Sequence, residues 1–318
     1  FHKLIKRPIC KIGMETSILS LGTGGARQFG QNMGHSIKDQ TKLVHAALDM
    51  GINIFDTASH YGHSESILGN CLSGVQRDSF LICTKWPARD ETDNTVLDPT
   101  KLIESVNKSL ARLQTDYIDI MLFHGIMPDE YLSIVENLYP TMAQLKSEGK
   151  IRSIGFSSRF SEDPEQKSIE LGLSQNPDLW DVVMLKYGIL NQHAAKEILP
   201  LAQKHQVGTI NMAAVRVKLP DANLLEELIA KWKSSGLIDI NSLPSSDPLG
   251  WLIDGNVTSV IEAGYKFAAE PESISTVLTG TASIPHLKMN VESIREPNLK
   301  KEHLDRLKNT LSHIVEYA

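Results

Sequence analysis

Cysteine is scarce in this chain: Cys10, Cys71 and Cys83 are the three among 318 residues. The count is odd and no Cys-x-x-Cys pair occurs. Neither a disulfide framework nor a cysteine zinc site is signalled, and buried free thiols in a reducing compartment are expected. A basic excess is also lacking. The formal charge of −6 argues against a nucleic-acid backbone or an anionic membrane as the main partner. No run reaches the apolar length of a membrane span. The N-terminal FHKLIKRPICKIG has no continuous apolar core of the secretory kind, and a cytoplasmic location is expected. What remains is ordinary: 41% apolar and 22% charged residues, ample for a substantial core. No composition break divides the chain, so one domain over 1–318 is expected.

Short apolar runs alternate with amphipathic patterns. The runs are SILSLG (17–22), INIFDT (52–57), FLICTK (80–85), YIDIMLFH (117–124), IRSIGFSS (151–158), WDVVMLKY (180–187), VGTINMAA (207–214) and SISTVLTG (273–280). They are continuous rather than alternating, as parallel strands buried on both faces are. Helical patterns lie at 38–51, 98–113, 129–150, 161–174, 191–205 and 256–270. Gly51 is a stop for the first, and Asp98 with Pro99 caps the second. Pro140 interrupts the third. This order predicts a closed (β/α)8 TIM barrel. The alternative, an open doubly wound sheet, calls for a GxGxxG after the first strand, and GTGGARQFG (22–30) does not match that spacing. Residues 215–255 break the rhythm as a long insertion after strand seven, either a packed excursion or a wall of the site.

Reacting groups in such a barrel lie at the C-terminal ends of the strands. Those ends present Asp56, Lys85 and His124, with Tyr61 in the loop after Asp56. Each alone has an ordinary explanation, a turn cap or a satisfied core group. Together they suit proton chemistry beside a carbonyl. A tyrosine at its ordinary pKa of ~10 is a poor acid/base near neutrality. A neighbouring ammonium lowers that value, a carboxylate keeps the buried ammonium charged, and an imidazole orients the substrate oxygen. Hydride exchange with nicotinamide is the reaction that makes or removes an alcohol proton.

FDTASHYGHSESILG (55–69), TKW (84–86) and DIMLFHG (119–125) resemble the signature of the aldo-keto reductase superfamily. The resemblance runs from the Gly22 turn to LTGTASIPHLKMN (278–290). It implies an eight-stranded barrel, an extended nicotinamide cofactor and hydride transfer without a metal. It implies Tyr61 as acid/base, Lys85 and Asp56 as its tuning pair, and His124 as the group orienting the carbonyl. It places cofactor contacts at Gly22 and Thr23, at Ser157 and Ser158, and at Gly280, Thr281, Ala282, His286 and Asn290. Met184 stands where the family often has Gln, and Met212 where it has a stacking aromatic, for which Tyr187 is a candidate substitute. NADPH-using members carry Lys or Arg in the 280–290 segment to pair with the 2′-phosphate. Gly280, Ala282 and His286 stand there in this chain, with Lys288 out of step, so of NAD(P)(H) the NAD(H) form is favoured, as in the branch resembling L-galactose dehydrogenase and other sugar dehydrogenases.

Trp86 and His60 are expected to line the substrate pocket, and His63 the surface. The pair His60-x-x-His63 alone has too few ligands for a metal. Ser64 reads as a helix N-cap with Glu65 in the first turn; no base–orienter pair for a serine triad is apparent. The expected activity is an NAD(P)-dependent oxidoreductase acting on a small carbonyl, alcohol or sugar. The competing reading is a cofactor-binding regulatory module resembling potassium-channel β-subunits.

Overall fold

The apolar runs become strands and the amphipathic patterns become the helices around them. The computed structural model describes residues 4–9, 11 and 13–315; Cys10 lies outside them. A short antiparallel pair, β1 (Lys6–Pro8) and β2 (Glu15–Ser17), comes first. The barrel strands are β3 (Leu19–Gly22), β4 (Ile54–Asp56), β5 (Leu81–Trp86), β6 (Ile118–Ile126), β7 (Ile151–Ser158), β8 (Val182–Leu185), β9 (Gly208–Asn211) and β10 (Thr276–Thr279). They close in the order β10-β3-β4-β5-β6-β7-β8-β9 with every seam parallel. This is the predicted (β/α)8 TIM barrel.

The helices are α1 (Ile37–Asp49), α2 (Ser64–Leu72), α3 (Pro99–Leu113), α4 (Tyr131–Asn137), α5 (Tyr139–Ser147), α6 (Lys167–Gln175), α7 (Ile198–Lys204), α8 (Ala222–Ser234), α9 (Val260–Ala269), α10 (Ile284–Ile294) and α11 (Lys301–Leu311). Asp98 caps α3 by accepting from the Thr100 N–H, with Pro99 in the first turn, as expected. The pattern over 129–150 divides at Leu138 into α4 and α5, with Pro140 in the first turn of α5. A proline there loses no hydrogen bond that a helix start could make. No helix among the described residues is long and apolar enough to cross a membrane.

The core has two layers. Ile54, Leu81, Cys83, Ile120, Leu122, Val182, Met184 and Ile210, on the inward phase of β4, β5, β6, β8 and β9, fill the barrel interior. The opposite phase packs outward against the helices. Ile9 and Met14 belong to the inner layer, so these two side chains stopper the N-terminal end of the barrel. Arg7 anchors the β1–β2 pair by donating to the carbonyls of Ala269, Pro271 and Ile274 at 2.8, 3.0 and 2.8 Å. The stopper sits so close that a Cβ on Gly208 would lie 1.2 Å from the Ile9 carbonyl oxygen.

The 215–255 insertion is packed. Asp221 caps α8 by accepting from the Leu224 N–H. Leu225, Leu228, Ile229, Trp232, Leu243, Leu249 and Leu252 enter the outer core.

Candidate active site

Inward phase and strand end together decide which side chains meet. Asp56 follows Ile54 on β4, Lys85 follows Cys83 on β5, and His124 follows Leu122 on β6. All three point into the C-terminal mouth above the inner core layer. The Lys85 ammonium donates to Asp56 Oδ1 at 2.7 Å and to the Thr57 carbonyl at 2.7 Å. Lys85 is 0% exposed and Asp56 4%. A buried ammonium without its counter-ion costs several kcal/mol, so the pair holds both groups charged as a unit. Burial alone would lower the Lys85 value, but Asp56 holds it well above the ordinary one. Burial is also the larger effect on the Asp56 carboxyl and pushes it up against the pull of Lys85.

Tyr61 stands in the loop after β4. That loop is stitched to β5 by Thr57 N–H to the Cys83 carbonyl (2.9 Å) and Ser59 N–H to the Lys85 carbonyl (3.0 Å). The Lys85 Nζ lies 5.1 Å from the Tyr61 ring centroid. The rings of His60, Tyr61 and His124 form a triangle, with centroids 5.2 Å apart for 60–61, 4.6 Å for 60–124 and 5.8 Å for 61–124. The expected foursome therefore converges, and His60 joins it at the mouth. The electrostatics differ from expectation in one respect. Burial raises the Tyr61 phenol above its ordinary value, and Lys85 offsets only part of this. Burial, with Lys85, His60 and Arg159 nearby, holds the His124 imidazole well below its ordinary value, so it is neutral at neutral pH.

A bulge aims His124. The β6–β7 register shifts between Phe123 and Ile126, and Gly125 within it takes φ +77°, where glycine is favoured. The Gly125 N–H donates to Ser157 Oγ at 2.8 Å. Ser157, expected at the cofactor, thus also supports the bulge. His124 Nδ1 is buried with no hydrogen-bond partner in the described structure.

Other expected residues lie as follows. Thr23 is buried and donates twice to the Asp56 carbonyl, from N–H and Oγ1, both at 2.9 Å. It ties the Gly22 turn to β4. Ser158 Oγ donates to Gln166 Oε1 at 3.0 Å, and Gln166 in turn bridges to the Lys186 backbone. Gly280 is exposed, and no atom lies within 4 Å of where its Cβ would be. Thr281 Oγ1 accepts from the Ser283 N–H, and Ser283 caps α10 by accepting from the His286 N–H. An open glycine leading through Ala282 into a helix N-terminus suits a nucleotide phosphate. Asn290 donates to Thr279 Oγ1 at 2.8 Å. Lys288 lines a cavity of about 720 Å³ with Leu4, Met50, Ile52 and Val291, at the N-terminal ends of the strands and away from Gly280.

Three expectations are corrected. Trp86 takes the opposite phase from Lys85 and is buried in the outer core, not in a pocket wall. Tyr187, just past the end of β8, is buried and stacks on Phe267 at 5.3 Å, so its ring is not free to stack on a cofactor. Ser64 does not cap α2; its hydroxyl donates to the Thr23 carbonyl and accepts from Gln31 Nε2. Glu65 has a supporting role beyond the first helical turn. Its buried carboxylate accepts from Thr84 Oγ1 (2.6 Å), Ser109 Oγ (2.7 Å) and Arg112 Nη1 (3.2 Å), bracing the residue before Lys85. A buried Glu needs such partners, but nothing in the sequence says which.

Residues 20–311 match the model of the Aldo/keto reductase family. L-galactose dehydrogenase of Arabidopsis thaliana is 27% identical over 98% of this chain and 93% of its own. The NADH-specific methylglyoxal reductase of Escherichia coli is 31% identical over 64% of each chain. An aldo-keto reductase from Bacillus halodurans, solved in its holo form, superposes with a TM-score of 0.71 at 25% identity over 98% of both chains. With the fold, the strand-end groups and these matches in agreement, the chain belongs to the aldo/keto reductase family.

Proposed function

We propose that this protein interconverts a small carbonyl compound and its alcohol with NAD(P)(H), Tyr61 being the general acid/base. The observation that carries the reading is the buried Asp56–Lys85 pair beside the Tyr61 ring, with neutral His124 at its edge. The nicotinamide, when bound, supplies or accepts the hydride. Gly22, Thr23, Ser157, Ser158, Gly280, Thr281, Ala282, His286 and Asn290 are the residues we assign to holding the cofactor. In the reducing direction the Tyr61 hydroxyl gives its proton to the carbonyl oxygen. The fixed positive charge of Lys85 stabilises the phenolate left behind. His124, uncharged, shares a hydrogen bond with the same oxygen and holds it near Tyr61. In the oxidising direction the phenolate takes the alcohol proton back.

A panel of aldehydes, ketones and sugars, followed at the nicotinamide absorbance band, tests the activity. Tyr61→Phe is expected to lower turnover by about 10²–10⁴-fold, the usual worth of a general acid/base, with an unchanged circular dichroism spectrum. Wild-type turnover in that variant would refute the mechanism. A chain that binds cofactor yet turns over nothing in the panel would favour the regulatory reading.

We further propose NAD(H) as the preferred cofactor. Gly280, Ala282 and His286 offer no guanidinium fork for a 2′-phosphate, and Lys288 faces the opposite end of the barrel. The kcat/KM for NADH should exceed that for NADPH; the reverse order would sink this part alone. The name of the Escherichia coli relative, NADH-specific methylglyoxal reductase, points the same way.

A further inference from the structure

The loop after β3 approaches the Tyr61 ring more closely than any side chain would allow. A Cβ built on Gly24 would lie 2.5 Å from Tyr61 Cε2, 2.7 Å from Cζ and 3.0 Å from Cδ2. Real Cβ atoms do not come that close to carbon, so the ring and a side chain at position 24 exclude each other. Backbone conformation does not demand a glycine here, because Gly24 is not among the glycines with positive φ. The requirement is space alone.

The backbone under the ring has nowhere to retreat. On one side Thr23 is bound twice to the Asp56 carbonyl, and Asp56 holds Lys85. On the other side a Cβ on Gly25 would meet Arg216 Nη1 at 2.7 Å, so the guanidinium from the start of the 215–255 insertion lies against the loop. The ring itself is confined by His60 and His124 at its edges and by Lys85. A methyl group at position 24 would therefore move the phenol relative to Lys85 and His124.

We propose that Gly24 is a positioning residue of the reaction: its missing Cβ is the seat of the Tyr61 ring, and that seat sets the reach of the phenol to Lys85 and His124. The inference rests on the reading of Tyr61 as acid/base and adds a residue that acts through it.

The test uses the full chain carrying Gly24→Ala, with wild type and Tyr61→Phe as references and NADH as cofactor. Displacements of about 1 Å cost about a hundredfold in rate. Gly24→Ala should lower kcat by that order while leaving NADH affinity, read by fluorescence titration, unchanged. The ultraviolet titration of the Tyr61 phenol, taken as the difference between each protein and its Tyr61→Phe counterpart, should move its midpoint. Wild-type kcat and midpoint in Gly24→Ala, with Tyr61→Phe inactive, overturn the inference and leave the proposed function standing. Wild-type turnover in Tyr61→Phe overturns the function itself. If Gly24→Ala folds poorly, melting temperatures form a double-mutant cycle with Tyr61→Ala. The loss caused by Gly24→Ala should vanish once the ring is gone, and an equal loss in both backgrounds overturns the inference without any substrate.

Discussion

Four side chains carry the proposed chemistry, and three of them are legible in the sequence for a simple reason. Asp56, Lys85 and His124 each end an apolar run at the next inward position after Ile54, Cys83 and Leu122, and three ionisable groups on adjacent strands at such positions are unusual core filling. Tyr61 was legible only through its company. What could not be read was the balance of forces on it. Sequence proximity to a lysine suggests a lowered phenol pKa, but the ring is enclosed, and desolvation of the phenolate outweighs the ammonium. The sign has a measurable consequence. With the value raised, Tyr61 stays protonated through neutrality, so reduction should run at a rate independent of pH there and fall only in alkali. Oxidation, which needs the phenolate, should rise into alkali. His124, held neutral by its lowered value, should add no inflection near its ordinary pKa of ~6.5. Rate profiles in both directions check this, and a reduction rate that falls between neutrality and mild acid would contradict it.

At the scale of elements, the strands and most helices follow from periodicity and capping. Trp86 sits at a strand end, where one residue of phase separates the mouth from the outer layer; Ser64 stands one residue past the cap position, which His63 takes. The apolar run that contains Trp86 carries no mark of which face it takes. The loop glycine beneath Tyr61 carries no signal of its role, because a glycine after a strand reads as a turn. The insertion after β9 is the larger case. Its length allows either a wall of the site or a packed excursion; α8 buries Trp232 completely, while Arg216 at the start of the insertion lies against the Gly25 backbone. Trp232→Ala should cost about 3–5 kcal/mol of stability, the usual range for a buried aromatic, measured by urea unfolding, while kcat per folded molecule stays at the wild-type level. A normal stability with a collapsed kcat would make α8 a working part of the site instead.

For the whole molecule, the two core layers share the barrel strands, so neither can form without the other. One domain is therefore our expectation, with the insertion included. The four tryptophans allow a clean check: Trp180 is buried in the outer layer of the barrel, and Trp232 is buried in the insertion. Thermal unfolding followed by tryptophan fluorescence and by far-ultraviolet circular dichroism should give one coincident transition. Two separated transitions would show that 215–255 melts by itself.

The stopper of Ile9 and Met14 bears on the charges at the opposite end. Asp56 and Lys85 attract each other strongly only in a medium that water does not fill, since the same pair in bulk solvent would be screened to about 1 kcal/mol. The N-terminal hairpin is thus part of the insulation of the ion pair. Shortening the chain past Met14 would hydrate the barrel from below and loosen Lys85 from Asp56, weakening the electrostatics at Tyr61 without altering a single residue at the mouth.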